Sequence, residues 1–97
     1  MKLRFTPRAA QDLAAIADHI RERSPVAAGQ VRAAILHSLQ NLVLFPQVGR
    51  AQTVDGVRKL VIRRYSYLVY YTVDEIAEEI IILTIQHPGR EREHEDA

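Results

Sequence analysis

The sequence contains no cysteine, which excludes a disulfide framework, a thiolate zinc site and a thiol nucleophile and fits a reducing compartment. It also lacks a long apolar run, because the stretch from 80 to 85 is far too short to cross a bilayer. Residues 1–6 are followed by Pro7 and a charged helix rather than by the apolar core of a secretory signal. We therefore expect a soluble, cytoplasmic protein. Its 97 residues leave room for one domain.

The net charge of +1 conceals an uneven distribution along the chain. Residues 50–64 carry a single acid, Asp55, against a cluster of bases. The bases are Arg50, Arg58, Lys59, Arg63 and Arg64. Most of the basic residues in the chain are arginine, whose planar fork of donors suits carboxylate or phosphate groups. An anionic partner is one interpretation; a solvated basic strand is the other, and composition alone favours the second.

Two helix-start signals precede two apolar stripes in the first half of the chain. Thr6-Pro7 and Ser24-Pro25 each combine an N-cap residue with a proline at the first helical position. The first stripe consists of Leu13, Ile16, Ala17 and Ile20. The second consists of Val31, Ile35, Leu39 and Leu42, widened by Leu36 and Val43. This helical spacing predicts a hairpin of two helices, the second ending near Phe45 because Pro46 disfavours helical geometry before it.

The second half changes to strand composition. Residues 57–62, 65–73 and 80–85 are rich in β-branched and aromatic side chains, and residues 3–5 resemble a short first strand. The order β-α-α-β-β-β predicts an α+β fold with the helical hairpin packed on one face of a small antiparallel sheet. We assign residues 1–90 to this single domain and residues 91–97 to a polar, frayed tail.

Six short motifs occur in one order between residues 8 and 90. They are DLAAIADHI (12–20), SPVAA (24–28), FPQVGR (45–50), GVRKLVI (56–62), YSYLVYYTVD (65–74) and IIILTIQHPGR (80–90). Together they resemble the ParE/RelE toxin superfamily, including its plasmid-stabilisation members. The resemblance implies a toxin of a type II toxin–antitoxin pair that is neutralised by a cognate, ParD-like antitoxin.

Two activities occur in that superfamily, and two positions of this chain discriminate between them. RelE-like members cut messenger RNA on the ribosome, whereas ParE-like members inhibit DNA gyrase without cleaving nucleic acid. Active nucleases usually have an arginine where Tyr67 stands and often a polar group where Pro88 stands. The resemblance therefore implies a gyrase inhibitor rather than an enzyme. The alternatives are a metal-independent, ribosome-dependent endoribonuclease using Arg58, His87 and Arg90, or a remnant that only binds antitoxin.

The residues expected to contact the target lie in the second half of the chain. They are Arg58, Arg63, Arg64, Tyr67, His87 and Arg90. Regular strand geometry sends Arg58 and Lys59 to opposite faces, so at least one of these bases is expected to be merely solvated. A histidine can act as a general acid or base, but for His87 a histidine that closes a strand end is the simpler interpretation.

The tyrosines between 65 and 71 and the margins of the helical stripes complete the sequence-based expectations. Tyr67 and Tyr71 share one strand face and Tyr70 the other, so we expect one set to be buried and one to lie near an open face.

The expected antitoxin contacts are Ile20, Leu36 and Val43. His19, His37 and His94 have no metal-binding spacing. We expect no metal or other cofactor, no membrane contact, and no direct nucleic-acid binding unless the protein is a ribonuclease.

Overall fold

The computed structural model describes residues 1–87, in which a helical hairpin follows the first strand and precedes the rest of the sheet. The elements are β1 (Lys2–Phe5), α1 (Pro7–Arg21), α2 (Pro25–Leu44), β2 (Arg50–Ala51), β3 (Val57–Ile62), β4 (Tyr67–Asp74) and β5 (Glu79–Gln86). The predicted order is confirmed apart from the additional two-residue strand β2. Pro88, Arg90 and the predicted tail 91–97 lie outside the described residues.

Both helices begin at the predicted caps. The Thr6 side chain accepts a hydrogen bond from Ala9 N at 3.1 Å, and the Ser24 hydroxyl accepts one from Ala27 N at 3.2 Å. These side chains satisfy amide groups that have no partner within the first helical turn. α2 ends at Leu44, immediately before the predicted boundary at Phe45.

The sheet has the order β1-β5-β4-β3-β2. Strands β3, β4 and β5 form the predicted antiparallel meander, but β1 pairs with β5 in parallel, from Lys2 opposite Glu79 to Phe5 opposite Ile82. The expectation of a purely antiparallel sheet is therefore wrong for β1, and the sheet is mixed. The physical reason is that no tight turn joins β1 to β5, so hairpin geometry does not dictate their relative direction.

The core lies between α2 and one face of the sheet. The predicted stripe of α2 is buried, and the stripe of α1 packs at its margin, with Ala17 buried and Leu13, Ile16 and Ile20 half-buried. The sheet contributes Ile62, Tyr67, Val69, Tyr71, Ile80, Ile82 and Ile85. Within residues 1–87, neither helix has the length and apolarity needed to span a membrane.

A bulge interrupts β5 where β1 ends. Tyr70 lies opposite Thr84 and Tyr71 lies opposite Ile82, which leaves Leu83 as the extra residue. A bulge of this kind bends the strand and leaves its own backbone groups without ladder partners.

Beyond the bulge, Thr6 and helix α1 cover the edge of β5 that β1 leaves open. The Thr6 hydroxyl donates to Leu83 O at 2.8 Å, and the Asp12 carboxylate accepts from Ile85 N at 3.1 Å and from the Thr84 hydroxyl. These bonds pair backbone groups that β1 no longer reaches, so the helix protects the edge that the short strand leaves open.

Candidate functional site

The FPQVGR motif forms the end of α2 and the loop 45–49, here called the α2–β2 loop, which is anchored by a buried tyrosine. Tyr71 lies on the helix-facing side of β4 and is fully buried. Its hydroxyl donates to Pro46 O at 2.8 Å and accepts from Gly49 N at 2.8 Å. One side chain of the central strand thus satisfies two backbone groups of the loop and fixes it against the sheet.

Arg58 supplies a second anchor for the same loop. Its guanidinium donates to Gly49 O at 2.7 Å and to Gln47 O at 3.3 Å. Arg58 also lies directly opposite Tyr71 in the pairing of β3 with β4, so the two anchoring residues are adjacent in the sheet. Burial raises the pKa of Tyr71, opposed by the Gly49 N–H and the charge of Arg58, and the hydroxyl therefore keeps the proton that it donates to Pro46.

The structure divides the basic stretch that the sequence presents as one cluster. Arg58 is half-buried and directed onto the α2–β2 loop, whereas Arg63 and Arg64 are exposed in the turn 63–66 between β3 and β4. The Arg64 guanidinium lies 5.4 Å from the centroid of the Tyr65 ring, within range of a cation–π contact. Arg63 and Arg64 are therefore available to a partner, whereas the Arg58 guanidinium is engaged by the loop.

Tyr67 and His87 meet at the end of the sheet that carries this turn. Their ring centroids are 5.6 Å apart with an interplanar angle of 75°, an edge-to-face arrangement. Tyr67 is buried, and burial raises its pKa, whereas His87 is exposed. Of the six predicted target-binding residues, the structure therefore gathers Arg63, Arg64, Tyr67 and His87 at one end. Arg58 lies apart from them, and Arg90 is outside the described residues.

The face of the sheet opposite the helices is less open than expected. Tyr70 is buried there, like Tyr67 and Tyr71 on the helix-facing side, so the expectation that one set lies near an open face is wrong. Gln86 is also buried in this region, and its Oε1 atom has no hydrogen-bond partner within residues 1–87. Sequence reasoning missed this buried amide because the predicted strand ended at residue 85, whereas β5 includes Gln86.

A groove runs along the helical hairpin beside β1. It has a volume of about 490 Å³. Its lining residues are Phe5, Ala10, Leu13, Ala14, Ala17, Asp18, Arg21, Arg32 and Leu36. Of the three predicted antitoxin contacts, Leu36 lines this groove, whereas Ile20 and Val43 pack half-buried against the core elsewhere. The lining residues that α1 contributes include the small side chains of Ala10, Ala14 and Ala17.

Three exposed apolar side chains at the end of α2 were not identified from the sequence. They are Leu44, Phe45 and Val48. The FPQVGR motif was the available signal, but only its proline and glycine were interpreted. In the part of the chain that the structure describes, no three histidine or acidic side chains gather in a way that could hold a metal ion.

The comparisons with known proteins agree on one family. The family model for the ParE toxin of the type II toxin–antitoxin system parDE matches residues 3–92. Toxin RelE2 of Caulobacter vibrioides is 33% identical over 86 residues, which cover 89% of this chain and 93% of that protein.

Solved structures give the same result at the level of the fold. A chain of the chromosomal ParDE TA system from P. aeruginosa is 33% identical and superposes with a TM-score of 0.77, covering 90% of this chain and 95% of that one. A chain of the intact E. coli RelBE toxin–antitoxin complex shares the fold, with a TM-score of 0.65 at 15% identity, covering 89% of this chain and 94% of that one. The chain therefore belongs to the ParE toxin family of type II toxin–antitoxin systems.

Proposed function

We propose that this toxin inhibits DNA gyrase, does not cleave RNA, and is neutralised by a cognate antitoxin. The observation that carries the second part is the separation of Arg58 from His87, and the match to the ParE toxin family supports the first. Together with Arg90, these residues would have to supply the cation and the acid or base of a ribonuclease.

Metal-independent RNA cleavage needs a base, an acid and a cation around one phosphate. Arg58 lies opposite Tyr71, whereas His87 follows Gln86, which lies opposite Leu68. Those two levels of β4 are about 10 Å apart at roughly 3.3 Å per residue. The Arg58 guanidinium also donates to two loop carbonyl groups. This arrangement supports a binding protein better than a nuclease.

The end of the sheet around Arg63, Arg64 and His87 is the surface that we assign to the target. These three side chains are exposed, and the buried Tyr67 ring packs edge-to-face against the His87 ring. Arginine is enriched at protein interfaces because its planar fork binds carboxylates with two parallel hydrogen bonds. The surface therefore suits an acidic region of a protein target.

The helical hairpin is the surface that we assign to the antitoxin. Its groove has an apolar floor that includes Leu13 and Leu36, with Arg21 and Arg32 at its rim. An amphipathic helix binds such a groove through side chains three or four residues apart. The half-buried Ile20 and Val43 would extend the contact beyond the groove. The 33% identity to a chain of the ParDE TA system supports a partner of this class.

The test combines a gyrase supercoiling assay with an in vitro translation assay and mapping of RNA ends. The parent protein is expected to slow supercoiling and to leave ribosome-bound RNA intact. The double variant Arg63→Ala/Arg64→Ala should remain folded and lose inhibition. Arg8→Ala/Arg23→Ala, which removes two exposed arginines from the helical hairpin, is the matched control and should inhibit like the parent. RNA cut at defined codon positions, with supercoiling unaffected, would show that the ribonuclease alternative is correct.

A further inference from the structure

A buried amide at the end of β5 lacks a hydrogen-bond partner. Gln86 is only 8% exposed, and its Oε1 atom accepts no hydrogen bond from any group within residues 1–87. In the unfolded chain this oxygen bonds to water, so burying it unpaired costs free energy. An acceptor that a folded protein leaves unpaired therefore points to a role outside the free chain, such as a contact made only in a complex.

Gln86 lies at the end of the sheet that we assign to the target. It is the last residue of β5 and is directly followed by the exposed His87. Its partner in the sheet is Leu68, which in turn lies opposite Val61, a residue that is 45% exposed. This row crosses the sheet on the face away from the helices, next to the turn 63–66. The unpaired oxygen therefore adjoins the proposed target surface.

The backbone that carries this amide is fixed by α1. The Ile85 N–H donates to the Asp12 carboxylate at 3.1 Å, and the Thr84 hydroxyl donates to the same carboxylate. These bonds hold the strand directly before Gln86. The side chain itself can rotate about its single bonds, which moves the amide while the strand stays in place. An acceptor on a fixed strand can therefore meet a partner with little loss of conformational entropy.

The charges near this amide decide which donor suits it. No acidic residue occurs between 57 and 73, a stretch that includes Lys59 and the two arginines of the turn 63–66. Lys59 lies opposite Tyr70, on the same face of the sheet as Leu68. A lysine or arginine of the target would be repelled by these like charges. The donor that fits is therefore a neutral N–H or O–H group, such as a backbone amide, a side-chain amide or a hydroxyl.

We propose that Gln86 is a specificity-determining residue of the target surface, whose Oε1 atom accepts a hydrogen bond from a neutral N–H or O–H group of the target. The bond forms only in the complex, so binding recovers the free energy that the free toxin loses by burying the oxygen unpaired. A protein that offers carboxylates to Arg63 and Arg64 but no neutral donor leaves the oxygen unpaired and binds more weakly. This inference rests on the proposed inhibition of gyrase and adds a residue to its binding surface.

The experiment titrates intact, purified gyrase with the parent toxin, with Gln86→Met and with Gln40→Met. Methionine has nearly the length of glutamine but no amide oxygen, and Gln40 is an exposed residue of α2 outside the hairpin groove. Gln86→Met should bind and inhibit gyrase about tenfold more weakly or worse, a loss that corresponds to one hydrogen bond. Urea unfolding should show that Gln86→Met is at least as stable as the parent, because it buries no unpaired oxygen. Gln40→Met should match the parent in both measurements.

Infrared spectroscopy of the parent toxin provides a second measurement, which decides the question even if Gln86→Met is too unstable to assay. The side-chain carbonyl carbons of glutamine are labelled with ¹³C. An unpaired Gln86 oxygen gives a band at higher frequency than the other glutamines, which are more exposed and bond to water. This band should be present in the free toxin and should move to lower frequency when gyrase is bound.

Three results would overturn the inference and leave gyrase inhibition intact. They are equal inhibition by Gln86→Met and the parent, absence of the high-frequency band from the free toxin, and persistence of that band in the complex. If the parent toxin neither binds nor inhibits gyrase, the proposed function fails and this inference fails with it.

Discussion

Gly49 lies so close to Tyr71 that a Cβ atom on residue 49 would be 2.5 Å from the tyrosine Oη. The Gly49 N–H donates to the same oxygen at 2.8 Å, so the backbone and the ring are in direct contact. The glycine of the FPQVGR motif is therefore required by space. Any side chain at this position would push the loop away from the sheet.

Gly49→Ala should lower the free energy of unfolding by about 1–3 kcal/mol, the usual cost of overpacking a filled site. Gly29→Ala is the matched control, because Gly29 lies in α2 with nothing within 4 Å of the added carbon. That change should raise the free energy of unfolding by about 0.5–1 kcal/mol, since alanine favours the helix. Urea unfolding measures both. A Gly49→Ala protein as stable as the parent would show that the contact is not constraining.

Tyr71→Phe should lower the free energy of unfolding by about 1–3 kcal/mol, because the buried Gly49 N and the part-buried Pro46 O lose their shared partner. Tyr65→Phe is the control: Tyr65 is half-buried, and no hydrogen bond of its hydroxyl is seen within residues 1–87. It should change stability by less than about 0.5 kcal/mol. Similar losses in the two variants would contradict a specific role for the Tyr71 hydroxyl.

Stability should fall at alkaline pH because burial raises the pKa of both Tyr67 and Tyr71. Above about pH 10 the unfolded chain ionises these hydroxyls while the folded chain still binds the protons. The unfolded state then holds fewer protons, so the free energy of unfolding decreases as pH rises through the raised folded pKa values. Below about pH 9 both states hold these protons, so the two hydroxyls do not change the free energy of unfolding.

Urea unfolding at about pH 8 and about pH 11 tests this dependence. The Tyr67→Phe/Tyr71→Phe variant should lose less stability between the two conditions than the parent does. An equal loss in both proteins would mean that other groups cause the alkaline destabilisation.

Asp12→Ala should lower the free energy of unfolding by about 1–3 kcal/mol and speed exchange of the Ile85 amide, because that amide loses its acceptor. Asp18→Ala is the control on the same helix. Asp18 pairs with Arg21 at 2.7 Å on an exposed surface, where such pairs contribute only about 0–1 kcal/mol. Unchanged exchange at Ile85 in the Asp12 variant would show that α1 does not close the edge of β5.

The features that the sequence predicted correctly are those specified by neighbouring residues. The caps at Thr6 and Ser24 and the stripe from Val31 to Leu42 depend on contacts within a few turns of helix, so their spacing is visible in the sequence. β2 was missed because a two-residue strand has no measurable periodicity. The direction of β1 was predicted wrongly because its partner, β5, lies far along the chain.

The candidate site was also predicted only in part, because one of its contacts depends on how distant segments cross. Arg63, Arg64, Tyr67 and His87 were predicted as one group, and register does bring them to one end of the sheet. Arg58 was included because it is basic and close to them in sequence. Its contact with Gly49 depends on how the α2–β2 loop crosses β3, and no local pattern encodes that crossing.

The pairing of Lys2 with Glu79 makes the first strand depend on the last one. During translation β1 and the helical hairpin are synthesised before any residue of β5. Until the β4–β5 hairpin is complete, β1 has no strand beside it and the apolar stripe of α2 has only part of its sheet to cover. Contacts this distant in sequence form late, because a long loop must close first. A chain released before β5 is made therefore lacks the strand that joins β1 to the sheet, so we expect a folded toxin only after translation has passed β5.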